Sequence, residues 1–579
     1  MKLLSGLGLA ILATGSPLST RQACSGNTAS DRSTWCDYSI STNYYDVVPD
    51  TGVTREYYFT LQEVTIAPDG FERIAYTVNG TIPGPTIEAD WGDTVVVHVT
   101  NNLTAAGNGT SIHFHGIRQN YTNQMDGVTS ITQCPTAPGE TITYTWRATQ
   151  YGSSWYHSHI GLQAWEGVMG GIIINGPATA NYDEDKGVLF LTDWSHATVD
   201  ELYDSVLANG PATLDNGLIN GTNVYGEDNS TAQTGHRFNT SFTAGTSYRF
   251  RLVNGAIDTH FKFSIDNHTL TVIANDFVPI EPYNTTVLNI AMGKQLYYRQ
   301  SVLLLTTPGQ RYDIIVTADK ESVAENFWMR AIPQAACSEN DSTDNIKGIV
   351  YYGDSPSTPT TTGYAYTDSC DDEDLSNLVP YLALDAGDYY WNESEPVTIQ
   401  QAAANVFLWY MNDTSMSVDW ANPTLLQIYN NATSFSNTSG VIQLPTAGEW
   451  AYVVITTTIA VPHPVHLHGH DFYILAQGTG TYDPATDLVS LTNPPRRDTA
   501  VLPASGYLVV AFKTDNPGAW LMHCHIGWHT EMGLAIQFIE QYDVARSLID
   551  YDFLQENCAA WESYAKVEGT VQNEYDDGI

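Results

Sequence analysis

The chain has 579 residues, enough for roughly three or four domains of ordinary size. Its formal net charge of -41 disfavours partners such as nucleic acid and anionic lipid. The abundance of Tyr, Thr and Val and the scarcity of Lys favour an all-β protein.

The sequence pattern of residues 1–20 predicts a secretory signal peptide, with or without a short propeptide. The apolar run from Leu3 to Ala13 is too short to cross a bilayer, and the small residues Gly15 and Ser16 follow it. The alternative is a buried N-terminal segment. We expect a secreted, extracellular glycoprotein because sequons are dense, with examples at Asn79, Asn102, Asn108, Asn120, Asn239, Asn284, Asn392 and Asn437.

The seven cysteines are an odd number, which leaves at least one thiol unpaired. Cys524 lies between two histidines and is therefore assigned to a metal. The other six can form three disulfides in an oxidising compartment, and the sequence alone does not give their connectivity.

Alternating strand patterns recur along the chain and are separated by turn-forming clusters. They predict strands at 94–100, 141–146, 247–253, 310–317, 450–457 and 507–513. Boundaries near Asn175 and in the polar stretch 354–362 divide the chain into three β-sandwiches, at 21–178, 179–362 and 363–579. The acidic run 371–374 indicates a solvated linker rather than a cation site. The pattern over 541–565 is helical.

Histidines form four clusters, each containing a His-X-His step. On a strand, residues i and i+2 face the same side about 6.6 Å apart, so paired imidazoles can reach one metal centre or two adjacent ones. Imidazole suits copper, iron, nickel or zinc alike. His470, close after the third cluster, is interpreted as a residue that either supports the metal ligands from behind or only packs against them. The solitary histidines are interpreted as structural; they are His98, His196, His236, His260 and His268. The clusters are His113 and His115; His157 and His159; His463, His466 and His468; and His523, His525 and His529.

Cys524 is flanked by His523 and His525, so an extended segment places the thiol on one side and both imidazoles on the other. With His463 and His529 it supplies the thiolate and two imidazoles of a blue copper site. The residue ten positions on is Leu534, which cannot bind the metal, and loss of an axial ligand raises the reduction potential. Zinc would make little use of an adjacent thiolate. Eight histidines remain for a group of three coppers: His113, His115, His157, His159, His466, His468, His523 and His525.

On these four motifs the sequence resembles the multicopper oxidase family, and most closely the laccases of filamentous ascomycetes. The resemblance implies three cupredoxin-like Greek-key β-sandwich domains, a short helical C-terminal segment and a three-copper cluster between the first and last domains. It implies four copper ions. By motif position the type 1 ligands are Cys524, His463 and His529, the type 2 ligands His113 and His466, and the two type 3 sets His115, His157, His525 and His159, His468, His523.

The resemblance also suggests roles for two acids. Asp215 lies where such laccases keep the acid that accepts a proton from a phenol, although it could simply cap a turn. Asp126, in Met-Asp-Gly-Val, resembles the acid that assists proton delivery to dioxygen. The C-terminal residues 576–579 are similar to a plug that enters the solvent channel of the cluster. The implied disulfides are Cys24–Cys36, Cys134–Cys558 and Cys337–Cys370.

One segment departs from the family pattern. Sixteen residues, KQLYYRQSVLLLTTPG at 294–309, separate Gly293 from the Gln-Arg-Tyr-Asp that usually follows directly. The segment is compatible with a short retained intron, because Gly-Lys and Pro-Gly can be encoded across splice sites. A genuine loop insertion is the alternative.

The resemblance implies a laccase, in which phenols or other small aromatic reductants dock beside His529 and four electrons pass through Cys524 to reduce dioxygen to water. We expect the protein to be a monomer. A laccase activity is compatible with lignin degradation, pigment formation and detoxification. Ascorbate and bilirubin oxidases usually carry an axial methionine where this chain has Leu534. A ferroxidase with acidic iron ligands and a non-catalytic copper-binding cupredoxin array are the competing functions.

Overall fold

The computed structural model describes residues 26–105, 108–210, 212–228, 230–290, 309–336, 338–403, 406–487, 491–570, 572 and 576–579. These residues are mostly in β-strands, which form three pairs of stacked sheets, so the predicted all-β fold of three sandwiches is confirmed. Within these ranges, none of the helices combines the length and the apolar character that crossing a membrane requires.

The first sandwich packs two four-stranded sheets and is preceded by a small ribbon. The strands are β1 Thr34–Trp35, β2 Tyr38–Ser39, β3 Thr54–Ile66, β4 Arg73–Val78, β5 Gly84–Asp90, β6 Thr94–Asn101, β7 Ile112–Phe114, β8 Thr141–Arg147, β9 Gly152–Ser158 and β10 Met169–Asn175. The sheets are ordered β4-β3-β6-β8 and β5-β10-β9-β7, and the ribbon is β1-β2. Along β6 every second residue is buried, which places Val95, Val97 and Val99 in the core between the sheets.

The middle sandwich packs a six-stranded sheet on a five-stranded one. The strands are β11 Glu184–Trp194, β12 Asn216–Ile219, β13 Val224–Tyr225, β14 Thr234–Gly235, β15 Asn239–Ser241, β16 Ser247–Asn254, β17 Phe261–Ile265, β18 Leu270–Asn275, β19 Val278–Thr285, β20 Leu288–Ile290, β21 Arg311–Thr317, β22 Asn326–Pro333 and β23 Lys347–Tyr351. The sheets are ordered β12-β11-β16-β21-β18-β19 and β15-β23-β22-β17-β20, and β13 and β14 form a separate ribbon. The core is aromatic and aliphatic, with Phe250, Phe263 and Ile314 enclosed.

The last sandwich also pairs a six-stranded sheet with a five-stranded one. The strands are β24 Tyr389–Ala403, β25 Val406–Met411, β26 Val441–Leu444, β27 Trp450–Thr457, β28 His463–Leu467, β29 Phe472–Thr479, β30 Arg496–Arg497, β31 Thr499–Leu502, β32 Gly506–Lys513, β33 Gly518–Cys524 and β34 Ala535–Glu540. The sheets are ordered β25-β24-β27-β32-β29-β30 and β26-β34-β33-β28-β31. One hydrophobic cluster lies between them and includes Trp409, Val453 and Cys524.

Helices are few among the described residues. The helices are α1 Val199–Asn209, α2 Thr424–Tyr429, α3 Gly527–Glu531, α4 Tyr542–Leu548 and α5 Tyr551–Glu568, with 3-10 turns at Asn123–Met125 and Asn437–Ser439. Helix α1 begins at a capping box, in which Thr198 and Glu201 satisfy each other's backbone amides. The C-terminal helices, predicted over 541–565, pack on the last sandwich.

The six strands predicted from alternation all exist, with ends within one residue of the prediction.

The expectation of a solvated linker at 371–374 is wrong for its two central residues. Asp372 and Glu373 are 8% and 7% exposed. Asp372 accepts a hydrogen bond of 2.9 Å from the backbone of Val501, and Glu373 accepts one of 3.2 Å from that of Asn289. Long-range amide donors therefore compensate for burying these charges.

Candidate metal centres

Two antiparallel strand pairs bring the histidine clusters together. In the first sandwich, β7 pairs with β9 so that His113 lies opposite His157. In the last sandwich, β28 pairs with β33 so that His466 lies opposite His523, and Val465 opposite Cys524. Registered pairs of this kind hold side chains on one face within reach of each other.

The eight histidines predicted for three coppers form one buried group between the first and last sandwiches. The Nε2 atoms of His468 and His523 are 3.2 Å apart. The ring of His525 lies 4.9 Å from that of His115, centroid to centroid. Three sets have ligand atoms within 4.8 Å of one another: His113, His115, His157; His113, His466, His468; and His159, His468, His523.

The hydrogen bonds of these rings fit a metal. The Nδ1 atoms of His113, His157 and His466 bond to backbone carbonyls at 2.8, 2.9 and 2.8 Å. Nδ1 therefore carries the proton and the Nε2 lone pair is free. Those three Nε2 atoms are buried and have no hydrogen-bond partner in the described part of the chain. Buried acceptors that lack a partner are costly, and a metal bound at Nε2 would satisfy them.

In His115 the two ring nitrogens have the opposite roles. Its Nε2 lies 3.2 Å from Oδ1 of Asp498, and its buried Nδ1 is the nitrogen left without a described partner. Burial, and the charge of neighbouring rings, lower the pKa of His115, His157 and His525 well below the usual range. Neutral imidazole is the form that binds a metal.

Cys524 lies on the other side of β33, in the hydrophobic cluster. Its Sγ is 3.6 Å from Nδ1 of His463 and 3.4 Å from Nδ1 of His529. All three side chains are buried, and burial alone lowers the pKa of His463 to about 3. The Trp409 ring packs 4.6 Å from that of His529. One sulfur and two nitrogens facing a common point are the donor set of a trigonal copper site.

Asp126 joins two of the eight histidines. Its Oδ2 accepts a hydrogen bond of 2.8 Å from Nδ1 of His468, and its backbone carbonyl accepts one of 2.8 Å from Nδ1 of His113. The side chain is 1% exposed. The carboxylate therefore orients the ring of His468, and the backbone carbonyl of the same residue orients that of His113.

Asp498 and Arg311 also lie beside the eight histidines, and the sequence analysis predicted neither of them. Asp498 contacts His115, and its carbonyl accepts from Nδ1 of His466 at 2.8 Å. Although burial raises the pKa of its carboxyl, the Arg311 guanidinium and hydrogen bonds from both histidines hold it well below the usual range. The available signal for Asp498 was the Arg-Arg-Asp run at 496–498, in a chain with only 23 Lys and Arg residues.

Asp215 occupies a different position, at the edge of the middle sandwich. Its Oδ2 accepts hydrogen bonds from the backbone nitrogen of His196, at 2.8 Å, and from Oγ of Ser195, at 3.1 Å. The side chain is 32% exposed. Its neighbour Leu214 belongs to the hydrophobic cluster that contains Cys524. Asp215 is therefore partly exposed, while the residue before it packs into the cluster that encloses the thiol.

The C-terminal residues lie beside the histidine group. The carbonyl of Ile579 accepts a hydrogen bond of 2.9 Å from Gly161, two residues after His159, and Ile579 is 2% exposed. The end of the chain is thus buried beside this loop, and its role as a plug of a solvent channel stays a prediction. Of the predicted disulfides, Cys134–Cys558 is present. Cys36 and Cys370 are disulfide-bonded, but Cys24 and Cys337 lie outside the described residues, as does most of segment 294–309.

Comparison with known proteins identifies one family in three successive parts of the chain. Models of multicopper oxidase domains match residues 60–179, 185–354 and 405–543. Laccase-2 of Botryotinia fuckeliana is 49% identical over 98% of this chain and 97% of its own. The laccase of Botrytis aclada has a TM-score of 0.88 at 47% identity, covering 96% of this chain and 99% of that one. Fet3p, a multicopper oxidase that functions in iron import, has a TM-score of 0.76 at 26% identity, covering 91% and 97%.

Proposed function

The chain belongs to the multicopper oxidase family and is a copper-dependent oxidoreductase of the laccase type; we propose that it oxidises phenols and related aromatic donors while reducing dioxygen to water at the two centres described above. The observation that carries the proposal is the position of Cys524. Its thiol faces one centre, and the adjacent His523 and His525 face the other, so a few covalent bonds join them.

We propose four bound coppers. Cys524, His463 and His529 would hold one, and the eight clustered histidines would hold three, divided by type as the motif positions imply. When bound, copper supplies the one-electron redox chemistry and the reduction of dioxygen. Leu534, beside Cys524, would offer this copper no further donor atom, which favours a high potential at the thiolate centre.

The roles of the protein's own groups follow from their surroundings. A phenol would dock near His529, and Asp215 would accept the phenolic proton at its partly exposed carboxylate. Asp126 would hold a proton at Oδ1, which lies beside the ring of His113 and has no hydrogen-bond partner among the described residues. Separation of the two centres keeps bulky donors away from the site of dioxygen reduction.

We further propose that the chain is secreted after removal of a signal peptide, is glycosylated and acts as a monomer with domains at 21–178, 179–362 and 363–579. The dense sequons, the acidic charge and the disulfide between Cys134 and Cys558 support this proposal. Contact with nucleic acid or membrane is not expected of so acidic a surface.

The test is the Cys524→Ser variant, loaded with copper. We expect it to lose both the blue absorption and the turnover, because a hydroxyl does not replace the thiolate. The control is the Cys134→Ser, Cys558→Ser double variant, which removes two sulfurs away from the centre and should stay blue. Vigorous turnover by Cys524→Ser would overturn the proposal.

Oxygen uptake by the parent protein with a phenol, an aromatic diamine and ferrous ion identifies the reductant class. A laccase consumes oxygen with the first two. A strong preference for ferrous ion would indicate a ferroxidase, and no uptake with any donor would indicate a copper-binding array without catalysis.

A further inference from the structure

Two buried ion pairs cross between the middle and last sandwiches in opposite directions. Arg311, at the start of β21, donates from Nη1 and Nη2 to the two carboxylate oxygens of Asp498 at 2.5 and 2.6 Å. Asp276, from the turn after β18, accepts from Nε of Arg497 at 3.1 Å. All four side chains are 0% exposed. Such pairs are costly to break, because removing one partner leaves a buried charge uncompensated.

We infer that Arg311 is a positioning residue for the three-copper group. It fixes the carboxylate of Asp498, which holds the ring of His115 directly and that of His466 through the hydroxyl of Thr499. This inference rests on the proposed function, since it concerns copper binding. It gives the middle sandwich, which contributes none of the predicted copper ligands, a direct role in building the centre.

The first argument is the orientation of His115. Asp498 accepts from Nε2 of this ring, whereas the partners of His113, His157 and His466 bond at Nδ1. The hydrogen bond at one nitrogen decides which nitrogen offers its lone pair. A displaced Asp498 would let His115 change tautomer or rotate, and its free Nδ1 would no longer face the cluster.

The second argument is the space around the pair. Gly116 follows His115 with a φ of +71°, and a Cβ at that position would collide with the Asp498 carboxylate and the Arg311 guanidinium. The pair therefore packs directly against the turn that carries His115. Thr499 completes the arrangement, with its hydroxyl 2.9 Å from Oδ1 of Asp498 and 3.2 Å from Nδ1 of His466.

The third argument is the bidentate geometry. Arginine presents two parallel N–H groups that match a carboxylate, and lysine presents a single point charge. Arg311→Lys therefore keeps the buried charge but loses the fixed orientation. Asp498→Asn keeps the shape but loses the charge. Both variants should loosen the histidines without creating a cavity.

The experiment compares copper retention at the two centres of one molecule. Wild-type, Arg311→Lys and Asp498→Asn proteins are loaded with copper and dialysed against a graded series of chelator concentrations. Total copper, the electron paramagnetic signal of type 2 copper and the blue absorption are measured at each concentration. The blue absorption is an internal reference, because its Cys524 centre does not contact Arg311.

A matched control is Arg330→Lys. Arg330 also forms a bidentate pair in the middle sandwich, donating to Asp266 at 2.7 and 2.8 Å, with Asp266 fully buried. It reports any general loss of stability from replacing such a pair. Thermal unfolding of all variants is recorded alongside.

We expect both test variants to lose the type 2 signal and part of the total copper at about 10- to 100-fold lower chelator concentration, the usual cost of losing a partner behind a metal-bound histidine. The blue absorption and the Arg330→Lys control should match wild type. If Arg311→Lys and Asp498→Asn retain copper at both centres like wild type, the inference is wrong. Wild-type protein that never turns blue would instead refute the proposed function.

Discussion

The backbone nitrogen of Cys524 donates a hydrogen bond of 3.0 Å to the carbonyl of Leu534. Both side chains are fully buried in the same hydrophobic cluster. The bond ties the end of β33 to the start of β34, and it fixes the residue ten positions along the chain beside the thiol. A leucine in that place keeps the predicted axial position free of any donor atom.

Leu534→Met should therefore lower the reduction potential of the thiolate centre, because a thioether stabilises the oxidised ion. We expect a fall of at least about 60 mV, which is tenfold in a one-electron equilibrium. The measurement is a redox titration of the blue absorption. Ile536→Met, a buried residue of the same cluster, is the control and should keep the parent potential. An unchanged potential in Leu534→Met would show that position 534 is not axial.

Asp126→Asn should slow oxygen consumption while leaving the reaction with phenol intact. The carboxylate contacts His468 and His113 but not the Cys524 centre, and loss of a positioned proton donor costs about 100-fold or more. Anaerobic bleaching of the blue absorption by a phenol should keep its rate. The control is Asp313→Asn, which removes an equally buried carboxylate in the middle sandwich. Equal slowing of both half-reactions would contradict the role.

Asp215→Asn should impair phenols selectively. Its carboxylate, 32% exposed, would accept the phenolic proton, so kcat/KM for phenols should fall about 100-fold. A metal-complex reductant that releases no proton should react as before. Asp204→Asn on α1 is the surface control. If both donors were equally affected, or neither, Asp215 would be a structural residue only.

Glu395 should make stability depend on pH. Its side chain is buried on β24, both carboxylate oxygens lack a hydrogen-bond partner among the described residues, and burial raises its pKa from 4.5 to about 7. The folded protein then binds more protons than the unfolded chain, so stability falls as the pH rises from about 4.5 to about 7 and stays low above it.

Glu395→Gln should remove that fall. Thermal unfolding at about pH 5 and about pH 8, either side of the shifted pKa, measures it: the variant should gain stability relative to the parent at the higher pH and little at the lower. Glu281→Gln, at an exposed position of β19 in the middle sandwich, should behave as the parent does. An identical pH dependence in the parent and Glu395→Gln would refute the assignment.

Deletion of 294–309 should give a folded, blue protein. Ile290, shortly before the segment, accepts a hydrogen bond of 3.4 Å at its carbonyl from Nδ2 of Asn254. Gln310, directly after the segment, accepts one of 3.1 Å at its carbonyl from the backbone nitrogen of Asn254. Gly309 has a φ of +127°, and a Cβ there would stand 3.4 Å from the rings of His115 and His525. The deletion leaves Gly293 before Gln310, so this requirement for glycine is still met.

Yield and blue absorption of the deletion variant should equal or exceed those of the full chain. The same deletion with Gly293→Ala is the control, and it should fold poorly. A deletion variant that stays insoluble would favour a genuine loop insertion over a retained intron. Sequencing the mature transcript across these codons gives an independent answer.

The sequence by itself determined the strands and the grouping of histidines. Alternation along 94–101 and the His-X-His spacing are local, because successive side chains of any strand face opposite sides. The same rule placed Cys524 on one side of β33 and His523 on the other. The acidic run 371–374 shows the limit of local patterns, since Asp372 is buried by amides that are distant in sequence.

Only the tertiary structure decided which groups hold the histidine rings in place. Asp126 meets His468 across 342 positions, and Arg311 meets Asp498 across 187. No periodicity encodes such a contact, because it depends on how three sandwiches pack. The orientation of His115, set by a carboxylate from another sandwich, is therefore a property of the folded protein.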